Sequence, residues 1–240
     1  MFQRILFILL VMSTTMACLQ LASPQTNQQT HQVNKHTAIS GVFETIPPRI
    51  DARSRYLFYL HGAILEGTRG HAVSPKFGVY EYAKILAAFA REGFTVISEV
   101  RRKATTPQKY AAKVAAQVDE LLKGGVPPER ITIVGASRGG SIALIASSLI
   151  KNRDVNFVIL ASCAESRYFK NLPPDLYGNI LSIYDRDDDT GAGSCNRFMQ
   201  QASGINRHQE IVLTTGLGHG IVYHPVKNWL DPLFNWAMQR

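Results

Sequence analysis

Residues 131 to 142, ITIVGASRGGSI, decide how this chain is read. Ile131 to Val134 is a short apolar, β-branched run, the composition of a strand buried on both faces. Gly135-Ala136-Ser137-Arg138-Gly139 follows at once, and Gly140 to Ile150 then continues with the apolar content of a helix. A strand that passes straight into a helix needs a tight turn, and glycine on both sides of Ser137 permits one. Ser137 would then stand at the edge of a sheet, beside the unpaired amides of a helix N-terminus, where negative charge is favoured.

Outward from this stretch, short apolar runs alternate with amphipathic ones. Strands are expected at Ala38 to Thr45, Arg55 to Leu60, Thr95 to Val100, Ile131 to Val134, Asn156 to Ala161, Ile180 to Tyr184 and Glu210 to Thr214. Helical periodicity covers Tyr80 to Arg91, Pro107 to Lys123, Gly139 to Ile150 and Pro225 to Met238. Gly93 and Gly124-Gly125 follow the first two helices as glycine does past helix ends, and Pro127-Pro128 bars continuation. Strand-helix alternation of this kind predicts an α/β fold, a mostly parallel central sheet with helices on both faces.

In such sheets, chemistry gathers outside the carboxyl ends of the strands. The strand ends here carry His61-Gly62-Ala63, Gly135-Ala136-Ser137-Arg138-Gly139, Asp185-Arg186-Asp187-Asp188-Asp189 and Gly216-Leu217-Gly218-His219-Gly220. A serine hydroxyl becomes a nucleophile when a histidine takes its proton and a carboxylate orients that histidine. The three residue types occur in the order serine, acid, histidine.

With G-x-S-x-G between strand and helix, His-Gly upstream, and acid and histidine at later strand ends, the chain resembles the α/β-hydrolase superfamily over residues 39 to 240, of a small, lidless kind. That resemblance implies Ser137 as nucleophile and His219 as base, with His224 the rival. It implies an acid a few positions past its strand. Counting three from Asp185 reaches Asp188, with Asp187, Asp185 and Asp189 as alternatives. It also implies two oxyanion donors: the backbone N–H of Arg138, and one after His61-Gly62, at Ala63 or Ile64. The expected activity is that of a serine esterase needing no cofactor and no metal, the alternatives being a thioesterase, amidase or peptidase with the same triad, or a non-catalytic binding protein of this fold; the EF-hand spacing that would turn the aspartate loop into a calcium site is absent.

The remaining expectations concern substrate and location. Only a short stretch separates Ser162 from Gly178, so little is left to cap the site, which suits a small or extended ester. The loop from Ile64 to Gly78 is the longest candidate cover. Arg69, Arg101 and Arg138 are candidate contacts for an acidic group, among other basic residues near the same edge; the alternative is pairing with acids such as Glu66 and Glu99. Formal net charge is +8, without zinc spacing or an aromatic nucleic-acid motif, so nucleic acid is not the expected partner. A small-molecule ester is.

Residues 1 to 17 have a short basic start, an apolar core from Ile5 to Met12 and a small-residue end at Ala17. This is the layout of a signal peptide, with cleavage after Ala17 or near Ala22, and of an exported protein. Cys18 would then be the mature N-terminus, a candidate lipid anchor and the one route to a membrane. Residues 18 to 38 read as a flexible tether. In an oxidising compartment Cys163 and Cys195 are candidates for a disulfide, the alternative being that Cys163 is a small buried hydrophobe.

Overall fold

Residues Arg55 to Leu60 are buried almost throughout, and their side chains divide between two cores: Tyr56, Phe58 and Leu60 face one, Leu57 and Tyr59 the other. Period-two alternation of apolar residues on both faces requires helices on both sides of the sheet. The computed structural model describes residues 41–163 and 175–239, which belong to one unit, Thr37–Arg240. The signal-like segment, Cys18 and the tether lie outside the described residues.

The chain begins with β1 (Val42–Phe43) and β2 (Arg55–Leu60). A 3₁₀ turn over Ala63–Leu65 leads to a small hairpin, β3 (Val73–Ser74) and β4 (Gly78–Val79). Next come α1 (Tyr82–Arg91), β5 (Phe94–Ile97), α2 (Pro107–Lys123) and β6 (Ile131–Ala136). The second half runs α3 (Arg138–Ile150), β7 (Asn156–Leu160), β8 (Tyr177–Asp185), α4 (Asn196–Met199), β9 (Gly204–Leu213) and α5 (Lys227–Met238).

The main sheet has seven strands in the order β1-β5-β2-β6-β7-β8-β9, and every neighbouring pair is parallel. From β2 the chain moves to β5 on one side, whereas from β6 it moves to β7 on the other. The connections that leave β2 and β6 therefore run in opposite directions across the sheet, the switch point at which ligand sites of such sheets form. Leu57, Tyr59, Val134 and Val158 pack with Phe89 of α1 and Trp229 and Leu233 of α5. The opposite face, including Phe58, Ile133 and Phe157, packs with Val114 and Val118 of α2 and Ile142 of α3.

Helix α2 has the bounds its sequence predicts. Thr106 accepts a hydrogen bond from the Lys109 amide at 3.3 Å, Pro107 opens the first turn, and Gly124 closes the last. Strands β8 and β9 start earlier than expected, because polar residues obscure their beginnings. Buried Asn179 satisfies its side chain on the Asp154 carbonyl at 3.1 Å, and β9 is an edge strand whose exposed positions carry polar groups such as Arg207. The two-residue strands of the hairpin carry too little pattern to be read in advance.

Candidate active site

Ser137 joins β6 to α3 with φ 52° and ψ −119°, a left-handed conformation that a serine adopts only when its surroundings enforce it. The glycines around it meet that demand. A Cβ on Gly135 would collide with the carbonyl of Gly139, and one on Gly139 with the carbonyl of Leu60. The turn is fixed from both sides: the Ser137 amide donates to Leu160 O at 2.8 Å, and its carbonyl accepts from Ser162 Oγ at 2.9 Å.

His219 lies in a 3₁₀ turn, Gly218–Tyr223, after β9. Its Nε2 is 3.0 Å from Ser137 Oγ and its Nδ1 is 2.7 Å from Asp188 Oδ2. With Nδ1 protonated, Nε2 is left as the acceptor for the serine proton. The Asp188 side chain is fully buried, and its other oxygen accepts from the Thr190 amide at 2.9 Å and hydroxyl at 2.7 Å. Phe77, on the turn of the β3–β4 hairpin, packs against His219 with ring centres 6.0 Å apart.

The other acids of the loop have different positions. Asp189 pairs with Lys76, and Asp187 is exposed. Asp185 is buried and accepts from the Asp187 amide at 2.9 Å and from the Thr215 amide and hydroxyl at 2.8 and 2.5 Å. Burial pushes its carboxyl up, but these hydrogen bonds, with that of the Gly218 amide, outweigh burial and hold it below the ordinary aspartate value. His224 is paired with Glu81 at 3.2 Å.

Beside the serine runs the loop after β2. A Cβ on Gly62 would lie 3.5 Å from that of Ser137, and Tyr80 Oη accepts from the Gly62 amide at 3.4 Å. Ala63 and Ile64 open a 3₁₀ turn, where the first N–H groups have no acceptor within the turn. Arg138 is the first residue of α3, so its N–H belongs to the end of the helix that favours negative charge. Both backbone segments expected to serve an oxyanion thus flank Ser137.

The side-chain role expected of Arg101 is corrected by the structure. Arg101 is 1% exposed; its Nε meets Glu66 Oε1 at 3.4 Å and its Nη2 donates to the His61 carbonyl. It is part of the interior under the loop and is not offered to a substrate at the serine. Arg138 is engaged too, with Nη1 on Glu66 Oε2 at 3.0 Å and Nη2 on the Thr105 carbonyl at 3.2 Å. Of the three arginines, Arg69 is the exposed one, on the loop before β3. The sequence alternative, pairing with Glu66, describes Arg101 and Arg138.

His61 is buried, as a residue shaping this loop should be. Its Nδ1 faces the Gly62 carbonyl at 2.7 Å and its Nε2 accepts from the Arg101 amide at 2.9 Å. Nε2 can accept only in the neutral imidazole, and burial, then the Arg101 cation, depress its pKa to about 3, against the Gly62 carbonyl, which favours the charged ring. Cys163 and Cys195 form a disulfide that joins the segment after β7 to the start of α4. The stretch 164–174, with Arg167 and Lys170, lies outside the described residues.

No protein-family model matches the chain, and no curated protein matches its sequence. Solved structures do match its shape. SOBER1 of Arabidopsis thaliana superposes with a TM-score of 0.52 at 14% identity, over 78% of this chain and 98% of that one. A truncated carbohydrate esterase from gut microbiota gives 0.54 at 15% identity, over 81% and 88%. A predicted CIB-like hydrolase from Thermoplasma acidophilum gives 0.53 at 13%, over 80% and 90%. The chain has the α/β-hydrolase fold. At these identities the likeness carries the fold, and within this α/β-hydrolase fold the chemistry has to be argued from the site itself.

Several residues of the site were not singled out by sequence. Thr190, Thr215 and Phe77 are ordinary residue types in loops, and only the spacing of Asp188 and Thr190, that of an Asx turn, left a local signal.

Proposed function

We propose that this chain is an exported serine hydrolase, a carboxylester hydrolase that acts on a small or extended acyl ester through an acyl-enzyme on Ser137. The observation that carries this reading is the continuous relay from Ser137 Oγ to His219 Nε2 and from His219 Nδ1 to Asp188, 3.0 and 2.7 Å long. Ester cleavage is favoured because one structural neighbour is a carbohydrate esterase, and export because residues 1 to 17 have the signal layout.

In the proposed reaction Ser137 Oγ attacks the ester carbonyl carbon while His219 Nε2 takes the hydroxyl proton. Asp188 steadies the imidazolium that results. The negative charge formed on the carbonyl oxygen is met by the N–H groups of Arg138 and Ala63; one such donor is worth about 3 kcal/mol. Collapse breaks the bond to the leaving alkoxide, which receives the proton from His219. Water, deprotonated by His219, then attacks the acyl carbon and the free acid leaves, with the proton returned to Ser137.

Covalent labelling with a fluorophosphonate tests the reading. The native protein should label and Ser137→Ala should not; a folded native protein that fails to label overturns it. A panel of short and long p-nitrophenyl esters then tests the substrate class, and preference for long neutral chains would refute the small or extended ester.

A further inference from the structure

A cavity of about 740 Å³ is walled by residues between Glu99 and Lys113. Thr105, whose carbonyl accepts from Arg138, is one of them; Ser137, Asp188, His219 and Ala63 are not. The cavity is therefore separate from the serine centre, and its properties do not depend on whether the protein hydrolyses esters.

Its charge is one-sided. Arg101, Arg102, Lys103, Lys109 and Lys113 line it, against the single acid Glu99, and Glu99 is paired with Lys113 at 2.5 Å. Arg102, Lys103 and Lys109 make no ion pair among the described residues. Arg101 is 1% exposed, its guanidinium 5.4 Å from the ring centre of Tyr110, another wall residue. Its Nη1 has no hydrogen-bond partner among the described residues, although buried polar atoms are nearly always paired.

The backbone adds to the imbalance. The cavity opens at the first turn of α2, a 17-residue helix whose positive dipole end disfavours cations. Lys109 stands in that first turn, and Arg102 and Lys103 in the loop before it. Three uncompensated cations at the positive end of a helix repel one another and the helix, and an anion between them would relieve both repulsions. Lysine ammonium groups with an arginine fork suit phosphate oxygens, and the charge exceeds what one carboxylate would balance. A concave space of this volume falls in the range of small-molecule sites, roughly 300–1,000 Å³.

We propose that this cavity binds the phosphate group of a small phosphorylated molecule. Pyrophosphate is the probe, titrated calorimetrically at low ionic strength into the native protein, into Ser137→Ala, and into a triple variant with Arg102→Ala, Lys103→Ala and Lys109→Ala. A second triple variant, Arg53→Ala, Arg91→Ala and Lys227→Ala, removes the same charge from exposed sites elsewhere. Saturable binding is expected in the native protein and equally in Ser137→Ala, weakened at least tenfold in the first triple variant and less than twofold in the second. Absence of binding to the native protein overturns the proposal, as does equal weakening in both triple variants, which would mean diffuse attraction to a basic surface. Citrate binding as tightly as pyrophosphate would overturn the assignment to phosphate.

Discussion

Asp185 and Thr215 tie the Asp188 loop to the His219 loop: one carboxylate oxygen at the end of β8 accepts both the amide and the hydroxyl of the residue four positions before His219. The other oxygen accepts the Asp187 amide and shapes the turn that leads to Asp188. Asp185 never touches the serine relay, yet it sets the distance between the two residues that do.

Asp185→Asn replaces one acceptor oxygen by a donor that would face these N–H and O–H groups. Hydrogen bonds to a charged group contribute about 1.5–3 kcal/mol, and a loss of about 2 kcal/mol is expected in urea unfolding. Ester hydrolysis should fall at least tenfold in kcat with little change in KM, since alignment is lost and substrate contact is not. Native kcat in a destabilised Asp185→Asn protein would refute the link between the loops.

In the proposed relay Asp188 orients His219, so Asp188→Asn should lower kcat by about 10³–10⁴-fold while leaving fluorophosphonate labelling detectable but slow. Asp187→Asn and Asp189→Asn should stay within twofold of the native rate. Thr190→Val, which removes the hydroxyl on Asp188 and keeps the amide, should reduce kcat several-fold. Steady-state rates on one short ester decide all four, and full activity in Asp188→Asn would move the acid to another aspartate.

How much of the site was legible in the sequence depends on how local each signal is. The turn at Ser137 could be read because its glycines lie within two residues of it and answer a local steric need. The acid loop could be read only as a set of candidates, since the residues that distinguish Asp188, namely Thr190 and His219, act through three-dimensional contact. Arg101 stayed open between a substrate contact and pairing with an acid for a related reason. The buried Glu66 that neutralises it stands thirty-five positions earlier, and only the fold brings the two together.

That Glu66 serves two arginines at once, Arg101 at 3.4 Å and Arg138 at 3.0 Å, with its side chain 7% exposed. Removing one partner of a buried ion pair strands the other charge, and about 3–5 kcal/mol is lost. Glu66→Ala is therefore expected to unfold at lower urea with a loss near 3 kcal/mol, and to hydrolyse esters more slowly because Glu66 caps the turn proposed to supply an oxyanion donor. The double variant Glu66→Leu, Arg101→Met should recover much of the stability, because it buries no unpaired charge at Arg101. Similar stability in native protein and Glu66→Ala would refute the network.

The last prediction concerns pH and rests on His61, which is neutral in the folded protein because it is buried beside the Arg101 cation and its Nε2 is committed as an acceptor. Nε2 accepts the Arg101 amide, and a proton there would oppose that N–H. The folded pKa is about 3, against roughly 6.5 for an unfolded histidine. At pH values between these the unfolded chain takes up a proton that the folded chain refuses, so stability is full above about pH 6.5 and declines as pH falls toward 3. Half-exposed His208, whose pKa burial also lowers, adds to the decline with the same sign. Asp185, held below its ordinary value, adds its own loss only below about pH 4, which leaves pH 6.5 to 4.5 to the histidines. Over that window the loss should reach about 2 kcal/mol, or a fall of about 5 °C in Tm. His61→Asn, neutral at every pH, should be less stable at pH 7 and show a flatter Tm profile from 6.5 to 4.5. A profile as steep as that of the native protein would mean that His61 does not refuse the proton, and that the loop beside Ser137 is not held by a neutral imidazole.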